Sequence, residues 1–266
     1  MPRPELRVAI AGYGAIGRSL AATLLAGIPG IRLTAIGVRS PATTLAPAPG
    51  IQIVPSNALA LLADIVIECA PAAALPTIAT PVLRAGRTIL VLSCAALLRH
   101  PELEALASEH GGRILVPTGA LLGLDAVLAA AEGTIHSVRM TTRKPPGGLV
   151  GAPYLVQNAI DVSALEEPLL VFSGTAREAA IGFPANVNVA AALAMAGIGP
   201  DRTTIDIWAD PGITRNIHCI ELDSDAARLT LQIENNPSDN PRTGRITAQS
   251  VIALLRKLQA PLAIGT

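Results

Sequence analysis

The apolar run 6–11 (LRVAIA) breaks directly into Gly12-Tyr13-Gly14-Ala15-Ile16-Gly17, and the helix-forming segment 19–26 (SLAATLLA) follows at once. A strand that feeds a glycine-rich turn opening a helix leaves few folds open. Gly12 permits the tight turn, Gly14 lets the backbone approach a ligand, and Gly17 lets helix and strand pack closely. The first helical turn, with Ala15, Ile16 and Gly17, presents unpaired N–H groups and the positive helix end to an anion such as a diphosphate. Residues 27–30 end the helix and 31–38 form a second apolar strand, so a βαβ unit of about 30 residues is complete.

The alternation continues. Residues 63–69 read as a strand, 72–85 as a helix, 88–93 as a strand, 101–110 as a helix and 113–116 as a strand. Strands alternating with helices imply a parallel sheet covered on both faces. After Gly123 the texture changes. Residues 137–143 alternate like an antiparallel strand, and 144–148 (KPPGG) read as a loop. Residues 183–195 read as a helix with Pro184 near its start. Residues 203–209, 217–222 and 228–234 read as strands, 235–244 as a polar turn-rich connection, and 245–258 as a closing helix. The expected fold is α/β: a Rossmann-type parallel-sheet domain plus a second α+β domain with a mixed, mostly antiparallel sheet. The first domain is expected over 1–118, rejoined by the closing segment 243–266, and the catalytic and dimerisation domain over 119–242. A homodimer is expected to form through the open sheet face of the second domain, on the premise that this face is apolar and must be buried.

Composition removes several classes of function. Hydrophobic residues make up 50% of the 266, enough for sizeable cores, but aromatics are only 2%. A base-stacking platform is therefore not expected. Zero formal net charge argues against a phosphate-backbone binder. Mean hydropathy is positive at +0.48, yet no uninterrupted apolar run reaches membrane-spanning length. The N-terminal stretch, with Glu5 and Arg7, lacks the order of a secretion signal. Cys69, Cys94 and Cys219 show no metal or disulfide spacing, so no metal and a reducing, cytoplasmic setting are expected.

The end of the second strand reads Gly37-Val38-Arg39-Ser40. Chains that hold the ribose diol of NAD usually place a carboxylate there. Here there is none, and Arg39, with Ser40, faces the position of a 2′-phosphate. The expected cofactor is NADP or NAD, with NADP bound at least as well. Ala70, after the third strand of the alternation, should lie near the nicotinamide.

Four further segments are more specific: PTGALLGLD (117–125), TTRKPP (141–146), FPANVNVAA (183–191) and ADPGITRNIH (209–218). Together with the glycine turn and NPSDNPRTG (236–244), they resemble the L-aspartate dehydrogenase family over nearly the whole chain. The resemblance implies oxidative deamination of L-aspartate to iminoaspartate, which hydrolyses to oxaloacetate and ammonia and also links the family to NAD biosynthesis. It implies that His218 is the catalytic histidine, and an imidazole suits proton transfer near neutrality. It assigns an Asn of the FPANVN segment, Asn188 first, to the nicotinamide-ribose side, and Ala120 to a cofactor contact. Leu121-Leu122-Gly123 departs from the family's usual Gly-rich reading at that loop. A dicarboxylate needs cations and donors, and Arg143, Lys144 and Arg215 are the candidates, with Thr118, Asn186 and Asn216 beside them. Asn186 and Asn188 also read as possible caps of the helix that follows. The alternatives are a related Rossmann dehydrogenase or reductase of homoserine or dihydrodipicolinate type, and a non-catalytic NAD(P)-binding regulator. Small-molecule substrate apart, no nucleic-acid or membrane partner is expected.

Overall fold

The computed structural model describes residues 4–39, 48–121, 123–236 and 244–265. They form two compact units. One runs to Gly119 and includes Ala248–Ile264; the other spans Ala120–Thr247. The second boundary thus falls inside the C-terminal helix, Ile246–Gln259. Residue 243, the expected point of return, lies outside the described residues.

In the first unit the elements are β1 (Leu6–Ala11), α1 (Ala15–Leu25), β2 (Ile31–Val38), β3 (Gln52–Pro55), β4 (Ile65–Glu68), α2 (Leu75–Arg84), β5 (Thr88–Val91), α3 (Cys94–Leu97), α4 (Glu102–His110) and β6 (Arg113–Leu115). The strands pair in the order β3-β2-β1-β4-β5-β6, and every pairing is parallel. β1 shows why the sheet needs cover on both sides. Its Val8 and Ile10 enter a core with Leu20 and Leu24 of α1 and Val251 and Leu255 of the C-terminal helix. Ala9 and Ala11 point the other way, to Ile78 and Val82 of α2 and Leu103 of α4. The strand order reverses between β1 and β4, which opens a crevice at their carboxyl ends, where ligands of such sheets bind. β3 was not legible in advance. It has four residues, two of them exposed, and ends on Pro55, too short for a periodic signal.

The second unit contains α5 (Leu124–Ala131), β7 (Ile135–Lys144), α6 (Pro153–Gln157), β8 (Leu169–Thr175), α7 (Ala176–Gly182), α8 (Asn188–Ala196), β9 (Thr203–Ala209), β10 (Asn216–Ser224) and β11 (Arg228–Asn235). The strand order is β11-β10-β7-β9-β8. Only β7–β9 is parallel; the other three pairings are antiparallel. Val138 and Met140 of β7, Ile205 and Ile207 of β9, and Ile220 and Leu222 of β10 are buried on the face that α7 and α8 cover.

Three expectations change. The open face is mixed rather than apolar: beside Trp208 of β9 and Ile217 and Cys219 of β10 it presents Arg139, Thr141 and Arg143 of β7, Thr204 and Asp206 of β9, Glu221 of β10, and Thr230, Gln232 and Glu234 of β11. Two-residue alternation sends most of the apolar side chains to the helices and leaves mostly polar ones outward. The helix expected over 183–195 begins only at Asn188, because the Phe183-Pro184-Ala185-Asn186 stretch forms a turn with Asn186 N–H bonded to Phe183 O at 2.8 Å. The residue at the cap position is Val187, and no side chain caps this end, so neither Asn186 nor Asn188 is the N-cap. Finally, Lys144 is not in a loop but ends β7 and is buried.

Candidate active site

The glycine turn of the first unit has the geometry of an anion cradle. Gly12 sits at φ +100°, a conformation L side chains rarely adopt, and a Cβ there would come within 2.7 Å of Cys69 O. Its N–H donates to Gly37 O at 2.8 Å, tying β1 to β2 as the chain turns. A Cβ on Gly17 would collide with Gly12 O, so the helix can start this close to the turn only with glycine. At Gly14, by contrast, nothing lies within 4 Å of the Cβ position. That open space leaves the backbone at Gly14 accessible to an anion of the size of a diphosphate. No side chain caps α1, which leaves the N–H groups of Ala15, Ile16 and Gly17 to an external acceptor.

A cavity of about 720 Å³ opens beside this turn. Its wall includes Gly12, Tyr13, Arg18, Val38, Arg39, Ser56, Asn57, Ala70 and Thr77, with no carboxylate among its lining residues. Arg39 therefore stands just after β2 on the same cavity wall as Arg18, Ser56 and Asn57 from other segments. Ser40 lies outside the described residues. These residues fit a dinucleotide: a backbone cradle for two phosphates and a cationic rim at the second ribose.

Glu68 was not anticipated. It is the last residue of β4 and is 0% exposed. Its carboxylate accepts from Ala70 N at 2.9 Å, Leu92 N at 3.2 Å, Ser93 N at 3.0 Å and Ser93 Oγ at 2.7 Å. Burial raises its pKa, while these donors pull it back. One side chain thus ties together the loops that follow β4 and β5, including Ala70 on the cavity wall. The signal was present: an acid ending an otherwise apolar buried strand must find several donors. The neighbouring Cys94 thiol is pushed up to about 12 by burial and by Glu68, so it stays protonated at neutral pH.

Thr118 is exposed, beyond the end of β6. Gly119 N donates to Ser250 Oγ at 3.1 Å. In the second unit, Ala120 O accepts from Asn235 Nδ2 at 3.2 Å, so its carbonyl is already engaged. Asn235 Oδ1 and Asn186 Oδ1 are buried and without a hydrogen-bond partner, a condition that asks for a donor from outside the chain.

His218, Thr142 and Lys144 converge on the covered face of the second sheet. Thr142 and His218 are directly opposed in the β7–β10 register, and Thr142 Oγ1 is hydrogen-bonded to His218 Nδ1. Lys144 follows Thr142 by two residues and so shares its face. His218 is 3% exposed and Lys144 4%. Burial, and then the charge of Lys144, push the imidazole down to about 3. Burial lowers the lysine to about 8. Asn216 opens β10 two residues before His218, on the same face.

The two arginines behave differently from Lys144. Arg143 is on the opposite, open face, where its guanidinium lies 4.8 Å from the Trp208 ring centroid and bonds Asp210 Oδ2 at 3.1 Å. Asp210 also accepts from Gly212 N at 2.9 Å, closing the turn before β10. Arg215 is exposed at the end of that turn. The structure thus brings Lys144 and Asn216 to His218, and places Arg143 across the sheet from it. Among the described residues no group of three His, Cys, Asp or Glu side chains is placed to hold a metal, and no helix is long and apolar enough to cross a membrane.

Comparison with known proteins agrees with this two-part arrangement. Residues 12–117 match the family model described as the NAD binding domain of homoserine dehydrogenase, and residues 125–258 match the C-terminal domain of aspartate dehydrogenase. The chain is 57% identical to L-aspartate dehydrogenase 3 of Bordetella bronchiseptica, with 99% of each chain covered. It is 56% identical to L-aspartate dehydrogenase of Bradyrhizobium diazoefficiens, over 98% of this chain and 95% of that one. The crystal structure of aspartate dehydrogenase from Thermotoga maritima shares the fold, with a TM-score of 0.74 at 24% identity over 98% of this chain and 99% of that one.

Proposed function

This chain belongs to the L-aspartate dehydrogenase family, and we propose that it catalyses the NAD(P)+-dependent oxidative deamination of L-aspartate to iminoaspartate, and thence to oxaloacetate and ammonium. The observation that carries the reading is the buried His218–Thr142 pair beside Lys144, in a chain whose other unit carries a dinucleotide cradle. Once bound, the dinucleotide supplies the hydride acceptor. Everything else falls to side chains.

The α-carbon becomes electrophilic when its hydride leaves, and water attacking it sheds a proton. A water oxygen that is forming a bond to an iminium carbon is a strong acid. A neutral imidazole accepts its proton even with a pKa near 3. His218 therefore works as the uncharged base of the hydration step, with its ring oriented by Thr142. Asn216, on the same face, is placed to hold a substrate carboxylate. Asn186 Oδ1, buried without a donor, is an acceptor for a substrate or ribose N–H or O–H group, and Asn188 and Ala120 contribute on the cofactor side. Arg143 supports the site from across the sheet through Asp210 rather than by touching substrate. Arg215 and Thr118, both exposed, are the remaining polar groups that a dicarboxylate would engage.

Arg39, with Arg18 and Asn57 on the same cavity wall, favours a 2′-phosphate, so NADP+ should bind at least as well as NAD+. A homodimer through the open face of the second sheet is retained as part of this reading, on Ile217, Cys219 and Trp208 set among the polar groups. The three free cysteines suit a reducing cytoplasm. Iminoaspartate released before hydrolysis would serve pyridine-nucleotide synthesis.

The test is reduction of NAD+ and NADP+, followed at 340 nm, with each of the twenty amino acids and with homoserine. L-Aspartate alone should give rapid turnover with oxaloacetate as product. Preferential oxidation of homoserine would overturn the reading, as would no turnover with any amino acid.

A further inference from the structure

The chain contains 18 arginines and two lysines, Lys144 and Lys257. Where it needs a cation it uses arginine: Asp64, Asp201, Asp206 and Asp210 are all paired with arginines. Lys257 lies in the last turn of the C-terminal helix, where any cation complements the dipole. Lys144 is the exception, 4% exposed and within the face that holds His218. Its Nζ forms no hydrogen bond or ion pair with any described residue, and burial is the one influence on it. A fixed carboxylate clamp is a task arginine performs better, with its rigid bidentate fork. The one thing arginine cannot do is give up its proton.

From this placement we infer that Lys144 is a second catalytic residue: its neutral amine takes the proton from the α-ammonium group of the substrate. The inference rests on the amino-acid dehydrogenase reading above and assigns the step which that reading leaves without a base. An ammonium nitrogen has no lone pair, so the α-carbon cannot lose hydride while the nitrogen is fully protonated. Lys144 Nζ forms the new N–H bond, and the substrate N–H bond breaks with its electron pair left on nitrogen. That pair becomes the C=N bond as the α-C–H pair departs as hydride to NAD(P)+. Water then adds to the carbon, its proton passes through His218 to the nitrogen, and ammonium leaves as the carbonyl forms. The whole reaction consumes one water and releases one proton, which is the proton that Lys144 carries out.

Magnitudes separate the two bases. Removing a proton from an alkylammonium of pKa roughly 10 is uphill by about 10² to a group near 8 and by about 10⁷ to one near 3. The lysine can do it and the imidazole cannot. The surroundings keep Lys144 poised. On β10 the ionisable group facing it is His218, which is uncharged above pH 3. Its β9 neighbour is Ala209, and the Asp210 carboxylate beyond is turned to Arg143 and the Gly212 N–H. Asp206 lies on the other face with Arg139 and Ser173. Helix α8 carries no ionisable side chain.

The experiment combines pH profiles with direct titration. Because there are only two lysines, selective 15N,13C-lysine labelling gives two side-chain signals, and Lys144→Met assigns them. In the enzyme without substrate, the Lys144 signal should titrate near 8, well below the ordinary lysine range. The kcat/KM profile for L-aspartate in wild type should fall on the acid side with a break near that same pH. Lys144→Met should lower kcat by roughly 10²–10⁴ and lose that break, leaving only the ionisation of the substrate amine. Added ethylamine should restore part of the rate. Lys144→Arg, which keeps the charge, should stay as slow as Lys144→Met. Succinate, which has both carboxylates and no amine, should bind Lys144→Met within about threefold of wild type. Removing a buried ammonium should raise Tm near neutral pH, so the variant remains folded. Recovery of activity in Lys144→Arg, or loss of succinate binding in Lys144→Met, would make Lys144 a clamp and overturn the inference. So would a Lys144 signal that titrates in the ordinary lysine range. If wild type oxidises an amino acid other than L-aspartate, the substrate reading falls, and the same profiles with that amino acid still decide the lysine.

Discussion

Thr142 and His218 face each other across the β7–β10 pair, and the threonine hydroxyl is hydrogen-bonded to His218 Nδ1. The bond fixes the orientation of the ring and engages Nδ1, leaving Nε2 as the nitrogen the threonine does not hold. Thr142→Val keeps the shape and removes the bond. It should lower kcat roughly 5- to 30-fold, the equivalent of about 1–2 kcal/mol, with dinucleotide affinity unchanged. Thr142→Ser should recover most of the rate. Steady-state kinetics beside fluorescence titration with NADPH separates the two effects.

His218→Ala should lower turnover by roughly 10²–10⁴ while leaving NADP+ binding intact. An imidazole of ordinary pKa would make the variant lose an ionisation near neutrality. The buried environment removes that expectation, since an imidazole held near 3 does not titrate there. The pH profile of the residual activity should keep its break on the alkaline side of neutrality. A profile that loses it would return the neutral-range base to His218.

The same burial has a consequence for stability. Unfolded, the imidazole takes a proton below about 6.5; folded, it does not until about 3. The native state thus binds fewer protons between those values, and stability falls as pH falls through the window. Urea melts of wild type and His218→Leu should diverge below pH 6.5. By pH 5, wild type should have lost about 2 kcal/mol more than the variant, at ~1.4 kcal/mol per pH unit.

Arg39→Asp replaces a phosphate partner with a ribose-diol partner and adds repulsion against the 2′-phosphate. The ratio of NADP+ to NAD+ affinity should drop by about tenfold or more, equivalent to at least ~1.4 kcal/mol. NADP+ binding more than tenfold worse than NAD+ binding in wild type would refute the role given to Arg39.

Glu68→Gln presents an amide N–H₂ to donors that now point at a carboxylate oxygen. Stability should fall by about 1–3 kcal/mol, because at least one buried N–H among Ala70, Leu92 and Ser93 loses its acceptor. Dinucleotide affinity should fall with it, since the loop bearing Ala70 forms part of the cavity wall. Thermal melts and NADPH titration check both, and an unchanged Kd would confine Glu68 to a structural role.

The parallel half of the fold was open to reading because local signals there coincide with the tertiary outcome. Apolar strands six to eight residues long, a glycine turn that needs φ > 0 at Gly12, and a helix at once afterwards leave one arrangement. The gaps were of two kinds. β3 is too short to show a period. Elements α3, α5, α6, β8 and α7 are likewise absent from the sequence reading, α7 although Thr175 and Glu178 form a capping box with a readable Thr-x-x-Glu spacing.

Residue types and their order determined the family and the glycine cradle by themselves, and singled out His218 as a candidate, since each depends on chemistry that a sequence displays. Burial and facing do not appear in a sequence. Arg143 and Lys144 are adjacent cations with equal claims on a carboxylate until strand pairing turns them to opposite faces. Only then does one meet Asp210 and Trp208 while the other is buried beside His218. The tertiary structure alone decides protonation, because water excluded from around a charge, rather than the side chain's own chemistry, sets the imidazole near 3 and the amine near 8.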